Sequence, residues 1–197
     1  PDYQEKLGGA YVLIPLANEK RDEEGRTAES WSEDYIEPTL SLIKGFVQER
    51  EDTIGKKIVF GNSRGAAFAF LITEAAPEFF DGCAPTATAY VPEDISLDAF
   101  DANDVHLFYA ISKHDELCDF YGDVEPRIPR LQEMKHVFLY FPKWTQNGDK
   151  GIASINFGIE MGQHCLVNSV HANLMFDDGT PMEESLPEGV IGWIKQV

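Results

Sequence analysis

Basic residues are scarce in this chain. Only 16 Lys and Arg stand against 34 Asp and Glu, which gives a formal net charge of −18 and a pI near 4.5. Such a surface repels phosphate backbones and anionic headgroups, which argues against nucleic acid and membranes as partners. Cysteine is scarce too. Cys83, Cys118 and Cys165 include no C-x-x-C pair, so the spacing gives no expectation of a zinc site. The odd count leaves at least one free thiol if the chain stands alone. No stretch approaches the roughly 20 apolar residues that span a bilayer. No low-complexity tract or internal repeat is visible. The chain opens on Pro1-Asp2-Tyr3, without a methionine or a signal-peptide pattern. It reads as a piece whose upstream part is cleaved or cloned away, so its N-terminus does not disclose localisation.

What is present suits one domain over residues 1–197. The 43% hydrophobic and 12% aromatic content is that of an ordinary globular chain, long enough for a substantial core. Ala10 to Pro15 is a continuous apolar run that predicts a buried parallel strand. Residues 17 to 34 are polar apart from Trp31, which is expected either to line a cleft or to anchor its own loop. Ile36, Leu40, Ile43 and Val47 recur at helical spacing. Lys57–Phe60 reads as a strand, followed by a helix to about Ala76 that Pro77 stops. Further strands are expected at Phe80–Pro85, Val105–Ile111 and His136–Phe141, with residues 86 to 103 a loop. Helices are expected at Val124–Met134, after His164 through Asn173, and near Glu184–Lys195. Alternating strands and helices predict an α/β fold: a mostly parallel sheet with helices on both faces.

Between the Lys57 strand and its helix lies Gly61-Asn62-Ser63-Arg64-Gly65, a G-x-S-x-G sequence. Strand, sharp turn and small-residue helix are the setting of a nucleophile elbow. The turn strains the serine backbone, and both glycines are expected to avoid collisions between strand and helix. A serine hydroxyl needs a base, and the base needs an orienting acid. On this type of sheet the order is serine, acid, histidine, with the acid just past a later strand. Asp115 sits there, with Glu116 and Asp119 as neighbouring candidates. His106 and His136 belong to strands, and His114 adjoins the acid. Of His164 and His171, His164 ends a long loop and is the expected base.

These pieces resemble the α/β-hydrolases, in particular bacterial esterases related to polyhydroxybutyrate depolymerases and feruloyl esterases. The matching segments are Tyr11–Pro15, Gly61–Gly65, Tyr109–Asp115 and Gly162-Gln163-His164. The resemblance implies a Ser63, Asp115 and His164 triad with no metal or organic cofactor. It departs at Cys165, where an aromatic is common, and in the long acidic segment Asp177–Pro187. One oxyanion donor is the Arg64 N–H; the loop and strands that carry a second are missing from this chain. Losing one donor costs about 10²–10³ in kcat. The expectation is therefore an N-terminal companion segment or partner chain, with Gly8-Gly9 as the weaker substitute. If Asp115 and His164 meet, Cys118 and Cys165 approach, either as a disulfide or as two free thiols. A disulfide favours an oxidising compartment, secreted or periplasmic. Trp31 and Trp144 lie on loops leaving strand ends, suited to an aromatic acid or a sugar. The implied activity is ester hydrolysis, with small-molecule or plant polysaccharide esters as substrates. A serine peptidase of the same fold and a non-catalytic hydrolase-like binding domain are the competing readings.

Overall fold

A computed structural model describes residues 3–17, 20–21, 23–25, 27–153 and 161–197. The chain runs through α1 (Tyr3–Lys6), an antiparallel pair β1 (Lys20–Arg21) and β2 (Thr27–Glu29), and α2 (Ile36–Gln48). Then come β3 (Ile58–Asn62), α3 (Arg64–Ala75), β4 (Gly82–Thr86), α4 (Asp94–Ala102), β5 (His106–Ala110), α5 (Ile128–Gln132) and β6 (Val137–Tyr140). It closes with α6 (Val167–His171) and α7 (Gly189–Gln196). Strands β3 to β6 form a four-stranded parallel sheet in sequential order. The architecture is the expected α/β fold.

Residue alternation along the strands decides what covers each face. Val59, Cys83, Leu107, Tyr109 and Leu139 pack with Ala69 and Phe70 of α3, Phe100 of α4 and Leu131 of α5. Ile58, Ala84, Phe108, Ala110 and Tyr140 pack instead with Val170 of α6 and Val190 and Trp193 of α7. Same-handed crossovers between sequential parallel strands place α3, α4 and α5 on one face. The chain beyond β6 covers the other. Leu107, Phe108 and Tyr109 are fully buried, and each Leu or Phe so buried contributes about 1.5–3 kcal/mol. β5 is thereby fixed at the centre of the sheet, and so is the loop that leaves its end. Outside α3 lies α2, whose Ile36, Leu40 and Ile43 pack against Phe68 and Ile72.

Three expected elements differ. Tyr11–Pro15 is not a strand: Val12, Ile14 and Leu16 are 71%, 74% and 87% exposed. A strand requires a ladder partner, and among the described residues β3 pairs only with β4. Tyr11 instead sets its ring edge-on to Phe46 at 5.6 Å. Residues 86 to 103 are not all loop, because α4 occupies Asp94–Ala102. The helix expected over Val124–Met134 is shorter in its α-helical part. A π-turn at Phe120–Val124 and a 3-10 turn at Glu125–Arg127 lead into α5, where Pro126 and Pro129 remove backbone donors.

Candidate active site

Ser63 occupies the single residue between β3 and α3, with φ 55° and ψ −120°. Positive φ in a residue with a Cβ costs on the order of 1–3 kcal/mol. The surroundings enforce it. The Ser63 N–H donates to Thr86 O at 2.9 Å, and Ser63 O accepts from the Ala66 N–H at 3.0 Å. Thr86 Oγ1 donates to Gly61 O at 2.9 Å, fastening the end of β4 to the elbow. A Cβ on Gly61 would lie 2.0 Å from Gly65 O, so strand and helix approach too closely there for any side chain. Gly65 departs from the expectation: a Cβ there meets nothing within 4 Å among the described residues.

Asp115 sits in the turn after β5, where its N–H donates to Ser112 O at 3.1 Å. Its Oδ1 accepts the N–H groups of Leu117 and Cys118 at 2.8 and 2.9 Å. These bonds hold the carboxylate in place before any base arrives. His164 Nδ1 lies 2.9 and 3.0 Å from the two Asp115 oxygens, and its Nε2 lies 2.9 Å from Ser63 Oγ. The three expected residues therefore form one continuous hydrogen-bonded line. Its acid and base are shielded from water, with the Asp115 side chain 0% and the His164 side chain 7% exposed. The imidazolium pKa is pushed up from 6.5 to about 10. The hydrogen bond to Asp115 is the largest cause, Cys118 adds to it, and burial opposes both.

The loop that carries His164 is held by residues whose roles sequence reasoning missed. Glu116 Oε2 accepts the His164 N–H at 2.7 Å, and Oε1 accepts the Gln163 N–H at 3.1 Å. By position Glu116 also suits the triad acid; its carboxylate meets the backbone of the histidine loop instead. Gln163 is buried. Its Oε1 accepts from Ser112 Oγ at 3.0 Å and from the Thr145 N–H at 2.5 Å, while its Nε2 donates to Ala153 O. A lone glutamine before a histidine gives no sequence signal for this. Asp119 and the other four histidines stay outside the line. Asp119 accepts the Gly122 N–H at 2.9 Å, and His171 is exposed on α6. His106 on β5 and His136, just before β6, stack at 4.2 Å.

No acceptor for the Arg64 N–H is found among the described residues, and it starts α3 beside Ser63. Gly8 and Gly9 do not offer a substitute, because their N–H groups donate to Glu5 O and Gln4 O. Trp144 is 38% exposed and stacks on His114 at 4.0 Å. Trp31 stacks on Phe68 at 4.6 Å, in the contact between α2 and α3. Cys118 and Cys165 are not joined by a disulfide. A cavity of about 290 Å³ lined by Gln146, Asn168, Ser169 and Met182 includes neither Ser63 nor Asp115.

No protein-family model matches the chain, and no curated protein does. Among solved structures, a thermostable esterase is similar at TM-score 0.46 and 14% identity, over 75% of this chain and 36% of that one. The chain thus spans little more than a third of that esterase. A protein of unknown function from Agrobacterium tumefaciens is similar at TM-score 0.46 and 16% identity, over 86% of this chain and 79% of that one.

Proposed function

We propose that this chain is a serine carboxylic-ester hydrolase. The observation that carries the reading is the hydrogen-bonded line from Ser63 Oγ through His164 to Asp115, with Ser63 held at positive φ. In the reaction, Ser63 Oγ attacks the ester carbonyl and His164 Nε2 takes its proton. Asp115 keeps the proton on Nδ1 and stabilises the imidazolium. The Arg64 N–H meets the developing oxyanion. His164 returns the proton to the leaving alcohol, and water, activated by the same nitrogen, resolves the acyl-enzyme. A second oxyanion donor is assigned to an N-terminal companion segment or partner chain, since Gly8 and Gly9 are already committed.

For the substrate we propose a plant polysaccharide ester, supported by the exposed Trp144 ring, a surface on which a sugar or aromatic acid stacks. Trp144→Ala is expected to raise KM for a feruloylated sugar and leave that for p-nitrophenyl acetate unchanged.

The hydrolase reading is tested with a fluorophosphonate, which reacts with an activated serine. A single adduct mapped to Ser63 by peptide mass, absent in Ser63→Ala and in His164→Ala, is the expected result. A folded protein that takes up no adduct would contradict the activated serine in this chain.

A further inference from the structure

The line from Ser63 to Asp115 leaves one neighbour unused. Cys118 follows Asp115 by one turn of loop, and its thiol lies close to both the acid and the base. Sγ of Cys118, a carboxylate oxygen of Asp115 and a ring nitrogen of His164 all lie within 4.8 Å of one another. Nδ1 is the His164 nitrogen that faces Asp115. The Sγ also lies 3.6 Å from Ala87 O, which receives its proton.

We propose that Asp115, Cys118 and His164 form an inhibitory site for a zinc-like divalent cation. Thiolate, imidazole and carboxylate together are the donor set of a borderline-soft ion, and magnesium or calcium prefers oxygen alone. Tetrahedral zinc with bonds of about 2.0–2.3 Å spaces its ligand atoms roughly 3.3–3.6 Å apart. The present separations, all within 4.8 Å, must close to that spacing for an ion to bind. Charge favours the same ion. A thiolate beside the Asp115 carboxylate places two negative charges in a shielded site, and a dication balances them. The sequence contains no paired-cysteine zinc motif; this site arises only because the fold joins the β5 turn to the histidine loop.

Occupancy has a defined chemical consequence. Neutral His164 carries its proton on Nδ1, facing Asp115. Metal coordination at Nδ1 requires that nitrogen's lone pair, so the proton is carried on Nε2 instead. Cys118 gives up its thiol proton to solvent. Nε2–H then points at Ser63 Oγ and has no lone pair to accept the serine proton. The cation thereby removes the base. The binding claim stands on the donor geometry alone; the inhibition claim rests on the hydrolase reading.

The test is a Co²⁺ titration of protein dialysed against chelator, followed by absorbance, with Zn²⁺ inhibition of p-nitrophenyl acetate hydrolysis measured in parallel. The expected result is a thiolate-to-cobalt charge-transfer band saturating at one ion per chain, displaced by Zn²⁺. It is retained in Cys165→Ala and lost in Cys118→Ala. The Zn²⁺ concentration for half-inhibition is expected to rise at least about tenfold in Cys118→Ala. A band with no hydrolysis in any sample supports the site and overturns the hydrolase reading. Hydrolysis with no band, or a band that survives Cys118→Ala, overturns the site and leaves the hydrolase reading standing. Circular dichroism of Cys118→Ala, with Cys118→Ser as second variant, separates ligand loss from misfolding.

Discussion

At the scale of single residues, Glu116 and Gly61 carry consequences that their types do not announce. Glu116 is exposed, yet its two oxygens hold the backbone N–H groups of Gln163 and His164. Each such charged bond contributes about 1.5–3 kcal/mol when both partners stay. Glu116→Ala is expected to lower kcat about tenfold or more through misplacement of His164. Glu116→Gln, which keeps one acceptor, is expected to recover part of that loss. A purely structural role would lower the thermal midpoint without the partial return of kcat. Gly61→Ala forces a Cβ into the Gly65 carbonyl and is expected to cost about 3 kcal/mol in denaturant unfolding. Gly65→Ala has open space and should cost well under 1 kcal/mol beside it. Equal losses in the two variants would contradict the account of the elbow.

His164 links residue chemistry to pH. With its pKa raised toward 10, the neutral imidazole that the proposed mechanism needs is populated only as pH rises. The acid limb of kcat/KM is therefore expected well above 6.5. Asp115→Asn removes the largest cause of the rise, so the limb should fall toward 6.5, with kcat reduced about 10⁴-fold. The same shift has a sign for stability. The unfolded histidine releases its proton near 6.5 and the folded one later, so this contribution is full below 6.5 and lost as pH climbs toward 10. His106 acts oppositely. Burial and the stacked His136 lower its pKa, so its contribution is full above 6.5 and lost on acidification.

At the scale of elements, the sheet was legible because its strands are short continuous apolar runs bounded by turn residues. The elbow was legible because β3 and α3 meet around Ser63 with no intervening loop. What the sequence could not disclose depends on distant partners. In α4, Leu97 and Phe100 are the buried residues, and Asp94, Asp98 and Asp101 are poor helix formers. That helix is completed from elsewhere: Arg127 pairs with Asp94 at 2.7 Å, Arg130 with Asp98 at 2.6 Å, and the Lys135 N–H with Asp101 at 2.9 Å. Tyr11–Pro15 fails for the converse reason: it has a strand's composition and no ladder. In the site, Ser63, Asp115 and His164 were readable from their places after strands. The Glu116 and Gln163 contacts were not, because they join loops 47 and 51 residues apart in sequence. Replacing Arg130 by Ala should loosen α4 by no more than about 1 kcal/mol, since its partner Asp98 is exposed. Hydrogen exchange in Asp94–Ala102, compared with α3, measures that loosening; unchanged exchange would contradict the tie.

For the whole molecule, the net charge of −18 sets a background of self-repulsion that salt screens. The thermal midpoint is expected to rise between low and physiological ionic strength, and a fall would contradict it. The same field raises the local concentration of cations and repels anions. Parallel strands, helices on both faces and the turns at the strand ends combine to bring residues 63, 115 and 164 into one line. That convergence is the central claim. A pre-steady-state measurement with p-nitrophenyl acetate tests it most directly, comparing the chain with Ser63→Ala. The account predicts a burst of p-nitrophenol equal to the protein concentration, followed by slower turnover, and no burst in the variant. A burst that survives Ser63→Ala would place the nucleophile elsewhere and contradict the account.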